Sequence, residues 1–548
     1  MSPLPGPRAA TPALARSRRV VRDSAGRCRD GLSRHWLFLV IAGCGTALRA
    51  VVQLAYQPAL IFPDSERYLQ YARFFVNGQW TPDWLRTSGY SILLIPAVLA
   101  HNLAVVAVVQ HLMGLATAVL IYATGVHFGA RRWLAALATI PVLFDPLQLD
   151  IEQYVLTDVS ATFVLVVALV VLVWKRDAIG KGALVGTGLL IAVATLIRES
   201  DALVMIPVLI YLVATFRPSR RLAARAVLLL FVGFAPLVLA YLGWFQASYN
   251  TFNFVTYNAQ FMYGRIAQFA ECSGMSLPSY EQHLCIQQPP AQRDPNFYMW
   301  NKQSPQVTLL PTARLSRGQI IDNFDWRIIE HQPLTFVKVV AGDVIYSFSP
   351  VRGDGPEHYP IAYHQFRTYF PGDSDELATI PAYTGRHPHA VRSLADFLAG
   401  YGRDFYTPGP LLLAGLALGA VGMAGIGRTR RSGLRGPCML FTIGTIAVVE
   451  PPFLITTFDW RYELPQLSLI PIAAVLALTA LAGWARTPPG RPAGAVEAGA
   501  VEAGPDEDPQ RLDQAADLQS SIPGRSAGEP GTAVHGHPRG DDPVDVSG

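Results

Sequence analysis

The sequence predicts an all-α polytopic membrane protein of about ten transmembrane helices, with one large extracytoplasmic loop domain of mixed composition. Three observations predict it. Of the 548 residues, 51% are hydrophobic and only 15% charged, a balance rare in soluble proteins. The apolar residues gather in runs, most of them long enough to span a bilayer as a helix. The basic residues concentrate at every second connection between those runs, as the positive-inside rule requires.

In chain order, residues 1–35 read as an Arg-rich cytoplasmic tail, from Arg8 to Arg34, ahead of a retained first helix at 36–56. No small-residue cleavage site follows that run, which argues against a removed signal peptide. Further spans are expected at 102–124, 133–146, 157–174, 182–198, 201–216, 224–245, 408–426, 437–456 and 464–485. The third and sixth of the ten are short enough to need polar ends held inside protein. The basic connections hold Arg131 and Arg132, then Lys175, Arg176 and Lys181, then Arg217, Arg220, Arg221 and Arg225, then Arg428, Arg430, Arg431 and Arg435, and last Arg486 and Arg491. With ten spans both termini are cytoplasmic.

This divides the chain into an N-terminal transmembrane module at 36–245, a loop domain at 246–407, C-terminal transmembrane helices at 408–485 and a disordered cytoplasmic tail at 486–548. The outer side receives the first loop, 57–101, a short loop at 145–157, a tight turn at 198–201, the large loop, and 457–463. Function is to be sought there.

The formal net charge is +4, but the arginines sit at the ends of apolar runs rather than in one patch, so nucleic acid is not an expected partner. The basic residues are nearly all Arg, with Lys only at positions 175, 181, 302 and 338; with abundant Ala, Gly and Pro this composition is associated with GC-rich bacterial genomes and a bacterial plasma membrane. No Walker-type loop, zinc-ligand spacing, nucleophile elbow or inverted transporter repeat is present. Cys272 and Cys285 share the large loop. In an oxidising compartment they either pair, contributing roughly 3 kcal/mol, or remain free thiols.

The first outer loop runs through Pro63, Asp64, Ser65, Glu66 and Tyr68 to Arg86, Gly89 and Tyr90. Asp64 thus lies just past the end of the first span, at the start of an amphipathic interfacial helix. A carboxylate there is either a helix cap or a catalytic acid or base. Leu156-Thr157-Asp158 opens the fourth span, Leu196-Ile197-Arg198 closes the fifth, and Trp460-Arg461-Tyr462-Glu463-Leu464-Pro465 opens the last.

These four stretches, in this order and on one side of the membrane, resemble the signature of the GT-C superfamily, bacterial members of the type related to protein mannosyltransferases included. The resemblance implies a membrane glycosyltransferase that moves a sugar from a polyprenyl-phosphate donor to an extracytoplasmic acceptor, a cell-wall glycan, lipid or protein, with inversion and with Asp64 as general base. It places Asp158 at the active site as metal ligand or acceptor contact; its other reading is an N-cap for the fourth span. It makes Arg86, Tyr90, Arg198, Arg461 and Tyr462 substrate-binding residues. The sequence departs from the pattern at Ser91 and Glu199, where Pro is usual. The large loop also lies between spans seven and eight, which separates the chain from aminoarabinose transferases with a long C-terminal domain.

The same residue types suit that chemistry on physical grounds. Transfer from a lipid phosphate needs a base for the acceptor hydroxyl and cations for the departing phosphate. Arg198 and Arg461, at outer helix ends, either grip phosphate at headgroup depth or snorkel to the interface. Arg49 falls inside the first span, where a cation must face the bundle; an acid such as Glu450 or the lipid phosphate is its expected partner. His101 and His111 read as interhelical hydrogen-bonding groups. His358, His364, His387 and His389, with Asp354 and Glu357, leave a divalent metal site in the large loop open. The competing classes are a transporter or glycolipid flippase and a non-catalytic scaffold.

Overall fold

A computed structural model describes residues 33–485 except 177, 257, 356, 357 and 373, so the terminal tails and Glu357 lie outside the described residues. The chain is helical at each of the ten apolar runs. Five helices are long and apolar enough to cross a membrane: Trp36–Ala55, Ala104–Phe128, Arg220–Tyr249, Arg435–Ile455 and Trp460–Leu481. Two bent helix pairs bring the number to seven, and Gly89–Leu99, Asp158–Trp174 and Lys181–Ile197 are shorter apolar helices. The outer helices show apolar side chains outward, Leu39, Leu112, Leu228 and Leu239 among them, a surface suited to lipid rather than water. Trp460–Leu481 is enclosed by its neighbours instead.

The expected third span differs. It breaks into Arg132–Leu137 and Ile140–Phe144, then bends by 51° into Pro146–Gln153. Pro146 cannot donate to the preceding turn, and Asp145 caps the new helix by accepting from the Leu147 N–H at 3.0 Å. All eight residues of Pro146–Gln153 are buried, so the short outer loop expected at 145–157 is a helix packed inside the molecule. The tight turn expected after Arg198 is a 3-10 helix, Glu199–Val204, and the sixth apolar helix starts at Met205.

Two close approaches fix the helices that carry the site. Gly188 and Gly233 face one another across Lys181–Ile197 and Arg220–Tyr249, where a Cβ on either would lie 2.0 Å from a carbonyl oxygen of the opposite helix. Gly89 lies against Leu196, whose carbonyl oxygen would be 2.3 Å from any Cβ there. The glycine of the Arg86–Tyr90 motif therefore lets this turn dock on the backbone just before Arg198. Thr87 seals the contact by donating to the Ile197 carbonyl at 3.1 Å.

The large loop segment contains two packed regions. The first, helices Asn258–Ala267 to Pro333–Tyr346, has its own core of Tyr263, Ile266, Leu284, Ile320, Phe324 and Ile328. Cys272 and Cys285 are joined by a disulfide at its edge, with Cα atoms 6.0 Å apart. The second packs Ile361, Phe366, Ile380 and Leu398 into the core that holds Leu60, Phe62, Tyr68 and Trp460. A short antiparallel pairing of Tyr56–Gln57 with His389–Ala390 ties it to the end of the first helix.

Candidate active site

Asp64 stands in the first turn of the helix Pro63–Val76. Pro63 at the first helical position lacks only a donor that would be unpaired there. Ser65 accepts from the Phe62 N–H at 2.9 Å and donates to the Val155 carbonyl at 2.8 Å. The chain before it pairs with 153–155, Leu60 N–H to Gln153 and Val155 N–H to Leu60. These contacts lock the start of the helix, and with it Asp64, onto the segment that leads into Asp158.

Both Asp64 oxygens are held by arginines from distant parts of the chain. Arg86 Nη2 donates to Oδ1 at 2.9 Å and Arg461 Nη1 to Oδ2 at 3.1 Å. Burial opposes the charged form of Asp64, but Arg86 and Arg461 overcome it and hold the carboxyl well below the usual carboxylate range. Arg86 lies over Phe261, 4.9 Å from the ring centre, and Arg461 lies over Phe62 at 4.7 Å.

Asp158 is also in a first helical turn, yet the helix is capped from Thr157 without a side-chain bond. Its carboxylate accepts instead from Arg198 Nη1 at 3.2 Å. The Arg198 guanidinium lies 5.1 Å from the Tyr462 ring centre, and that of Arg461 5.3 Å from it, so both cations contact one ring. Tyr90 does not join them. Its ring is buried edge-on against Tyr68, and its hydroxyl donates to Gln110 Oε1 at 3.0 Å. Arg49 pairs not with Glu450 but with Glu152, at 2.7 Å, because the buried helix Pro146–Gln153 brings that acid into the bundle. His111 hydrogen-bonds Glu152 and Gln153 across helices.

Two cavities meet at this cluster, and Asp64, Arg86, Arg461 and Tyr462 line both. The smaller, about 320 Å³, adds Asp158 and Arg198 and has apolar walls at Ile197, Leu203, Pro451, Pro452 and Ile455. The larger, about 850 Å³, has aromatic and polar walls from the helix Pro63–Val76 and the loop segment.

Two residues with a bearing on this site were not singled out as part of it by the sequence motifs. Asp459 places Oδ2 2.9 Å from Arg461 Nε and accepts from the Arg461 N–H, and His364 Nε2 lies 2.6 Å from its Oδ1. Burial opposes the Asp459 charge, but His364 and Arg461 together hold its carboxyl below the usual range. His364 also stacks on Phe62 at 5.7 Å, so one side chain of the large loop braces both Arg461 and the segment preceding Asp64. The position of Asp459 two residues before Arg461 is the only sequence signal for its part; His364 has none. Among the described residues no group of three or more His, Cys, Asp or Glu side chains is placed to hold a metal ion. His358 instead contacts Asp343.

Fold and site together define a multi-pass helical membrane protein with a carboxylate–arginine cluster at the junction of two cavities. Residues 87–244 match the family described as dolichyl-phosphate-mannose-protein mannosyltransferase, under a third of the chain, a stretch that includes Asp158 and Arg198. This agrees with the resemblance to the GT-C superfamily. Solved structures also match. One is the S. cerevisiae protein O-mannosyltransferase Pmt1–Pmt2 complex bound to the sugar donor, at 14% identity and a TM-score of 0.33, covering 45% of this chain and 38% of that one. Another is ArnT from Cupriavidus metallidurans bound to undecaprenyl phosphate, at 15% identity and 0.33, covering 82% and 78%; its apo form gives 14% and 0.32, covering 81% and 77%. This chain therefore spans well under half of the yeast chain it matches. No curated protein sequence matches.

Proposed function

We propose that the chain is a membrane glycosyltransferase that moves a sugar from a polyprenyl-phosphate donor to an extracytoplasmic acceptor, with inversion and with Asp64 as general base. The observation that carries this reading is the placement of Asp64 between two arginines where the two cavities meet. The apolar cavity suits the lipid donor, with its phosphate against Arg198, Arg461 and Arg86. The acceptor approaches from the larger cavity. Its hydroxyl oxygen bonds to the anomeric carbon as the bond from that carbon to the phosphate oxygen breaks. The hydroxyl proton passes to Asp64, and the electron pair leaves with the polyprenyl phosphate, whose charge the arginines stabilise.

A carboxylate with both oxygens on guanidinium groups is a weak base. A donor phosphate competes for those same groups, so donor binding raises the basicity of Asp64 when the acceptor needs it. Asp64→Asn keeps the shape but accepts no proton. Transfer should fall about a hundredfold or more while polyprenyl-phosphate binding persists. Near-normal transfer by a properly inserted Asp64→Asn protein would remove Asp64 from the role, and loss of transfer in Glu66→Gln instead would pass the role to Glu66.

A further inference from the structure

The end of the bundle away from Asp64 carries a second basic cavity, which has no part in the proposed transfer. Arg34 stands just before the helix Trp36–Ala55, whose other end leads to the Asp64 loop. The helix Ala104–Phe128 ends beside it at Gly129, in the left-handed backbone that favours glycine, and the chain turns there into Arg131 and Arg132. Two contacts fix these segments to each other. His35 Nδ1 lies 2.6 Å from the Tyr122 hydroxyl oxygen, and Phe38 stacks on the same ring at 4.1 Å. The third piece is Trp484, just past the last helix, with the Arg131 guanidinium 4.3 Å from its ring centre.

Together they enclose a cavity of about 480 Å³ lined by Arg34, Arg131, Arg132, Trp133 and Trp484. Arg34, Arg132 and Trp133 also line a smaller cavity, about 140 Å³, whose further walls include Trp36, Leu37, Phe38 and Tyr122. Among the described residues no Asp or Glu lines either one. Like charges around one space repel, and an anion placed among them relieves that repulsion. A guanidinium laid on an aromatic face keeps the N–H donors at its edge for such a ligand.

The second cavity decides which anion. A free phosphate uses the arginines alone, whereas a phospholipid also covers the apolar walls with the first carbons of its chains. Trp36 and Trp133 are exposed, and rings of that kind mark the level of lipid headgroups. The positive-inside rule puts this end of the bundle in the cytoplasm, where the leaflet is anionic and basic pockets between helices take lipid headgroups. We propose that the paired cavities are a binding site for an anionic phospholipid, its phosphate among Arg34, Arg131 and Arg132 and its chains starting along Phe38 and Trp36. The volume of the basic cavity lies within the range of small-ligand pockets.

The test uses the purified full chain in detergent, exchanged against equal amounts of phosphatidylglycerol and phosphatidylcholine and weighed intact by native mass spectrometry. Phosphatidylglycerol should stay bound in preference to phosphatidylcholine, and excess inorganic phosphate should not displace it. Arg131→Gln with Arg132→Gln should lower its retention roughly tenfold or more. Arg220→Gln with Arg221→Gln removes the same charge at the start of another helix and should leave retention unchanged. All four side chains are exposed, so size-exclusion chromatography should show both variants folded, and the comparison of the two lipids on the wild type stands without them. Equal retention of the two lipids, displacement by inorganic phosphate, unchanged retention in Arg131→Gln with Arg132→Gln, or equal loss in the two double variants would each overturn the site.

Discussion

Two of the arginine–carboxylate centres among the described residues, Arg49 with Glu152 and Arg86 with Asp64, differ in what each guanidinium has left to give. Arg49 is enclosed. It donates to Glu152 and to the carbonyl oxygens of Gly45, Val142 and Leu143, and Glu152 is further occupied by His111 and Gln148. Arg86 makes one hydrogen bond, to Asp64, and otherwise lies against aromatic rings at a cavity wall. A guanidinium has five donors, so Arg49 is close to saturated while Arg86 retains capacity for a ligand. The first centre holds helices together. The second, incomplete by itself, is where a phosphate would add most.

The largest effect should come from breaking the saturated centre. Glu152→Ala leaves Arg49 charged and unpaired in a sealed site, which costs about 3–5 kcal/mol. Thermal unfolding in detergent should show a large loss of stability or no folded protein; an unchanged melting temperature would mean that the Arg49 network carries no structural weight. Arg461→Lys should act in the opposite manner. Charge is kept but the planar fork is lost, so one charge-assisted hydrogen bond to the departing phosphate disappears, worth ~1.5–3 kcal/mol. Turnover should fall about ten- to hundredfold with the melting temperature nearly intact. Wild-type turnover would return Arg461 to a purely interfacial role.

The smallest effect sharpens the contrast through pH. The folded-state pKa of Asp64 is depressed: burial opposes its charge but Arg86 and Arg461 outweigh burial. Its pairing therefore contributes stability that is fully present above the unfolded value near ~3.9 and is lost as pH falls through the lower folded-state value. The difference in melting temperature between wild type and Asp64→Asn should be constant around neutrality and shrink only on strong acidification. A difference that vanishes between pH 5 and 7 would show that the arginines do not hold the carboxylate.

The helical stretches were legible because a run of apolar residues long enough to span has few alternatives in a bilayer. The motifs around Asp64, Asp158, Arg198 and Arg461 were legible as residue types at helix ends. Less legible was everything that depends on what a segment packs against. The residues 146–153 contain Gln148, Asp150, Glu152 and Gln153 and read as a polar loop, yet the fold buries all eight; Glu152 meets Arg49, His111 and Gln148, and Gln153 meets His111 and the Tyr56 carbonyl. Tyr90 shares a motif with Arg86 but, already inside the helix Gly89–Leu99, it is buried and bonds Gln110 instead of lining either cavity.

What the sequence determined by itself was a polytopic helical membrane protein and the chemical identity of its acid and arginine candidates, because hydrophobic length and charge type are local properties of the chain. Only the tertiary structure decided which of them converge. Asp64 and Arg461 are 397 positions apart in sequence, and the contact between them is set by the docking of 60–65 on 153–155, by Asp459 and His364 behind Arg461, and by the close approach at Gly89 that carries Arg86 in. Each of these depends on shape and partners supplied from elsewhere in the fold, and a residue's own neighbours in the chain carry no record of them.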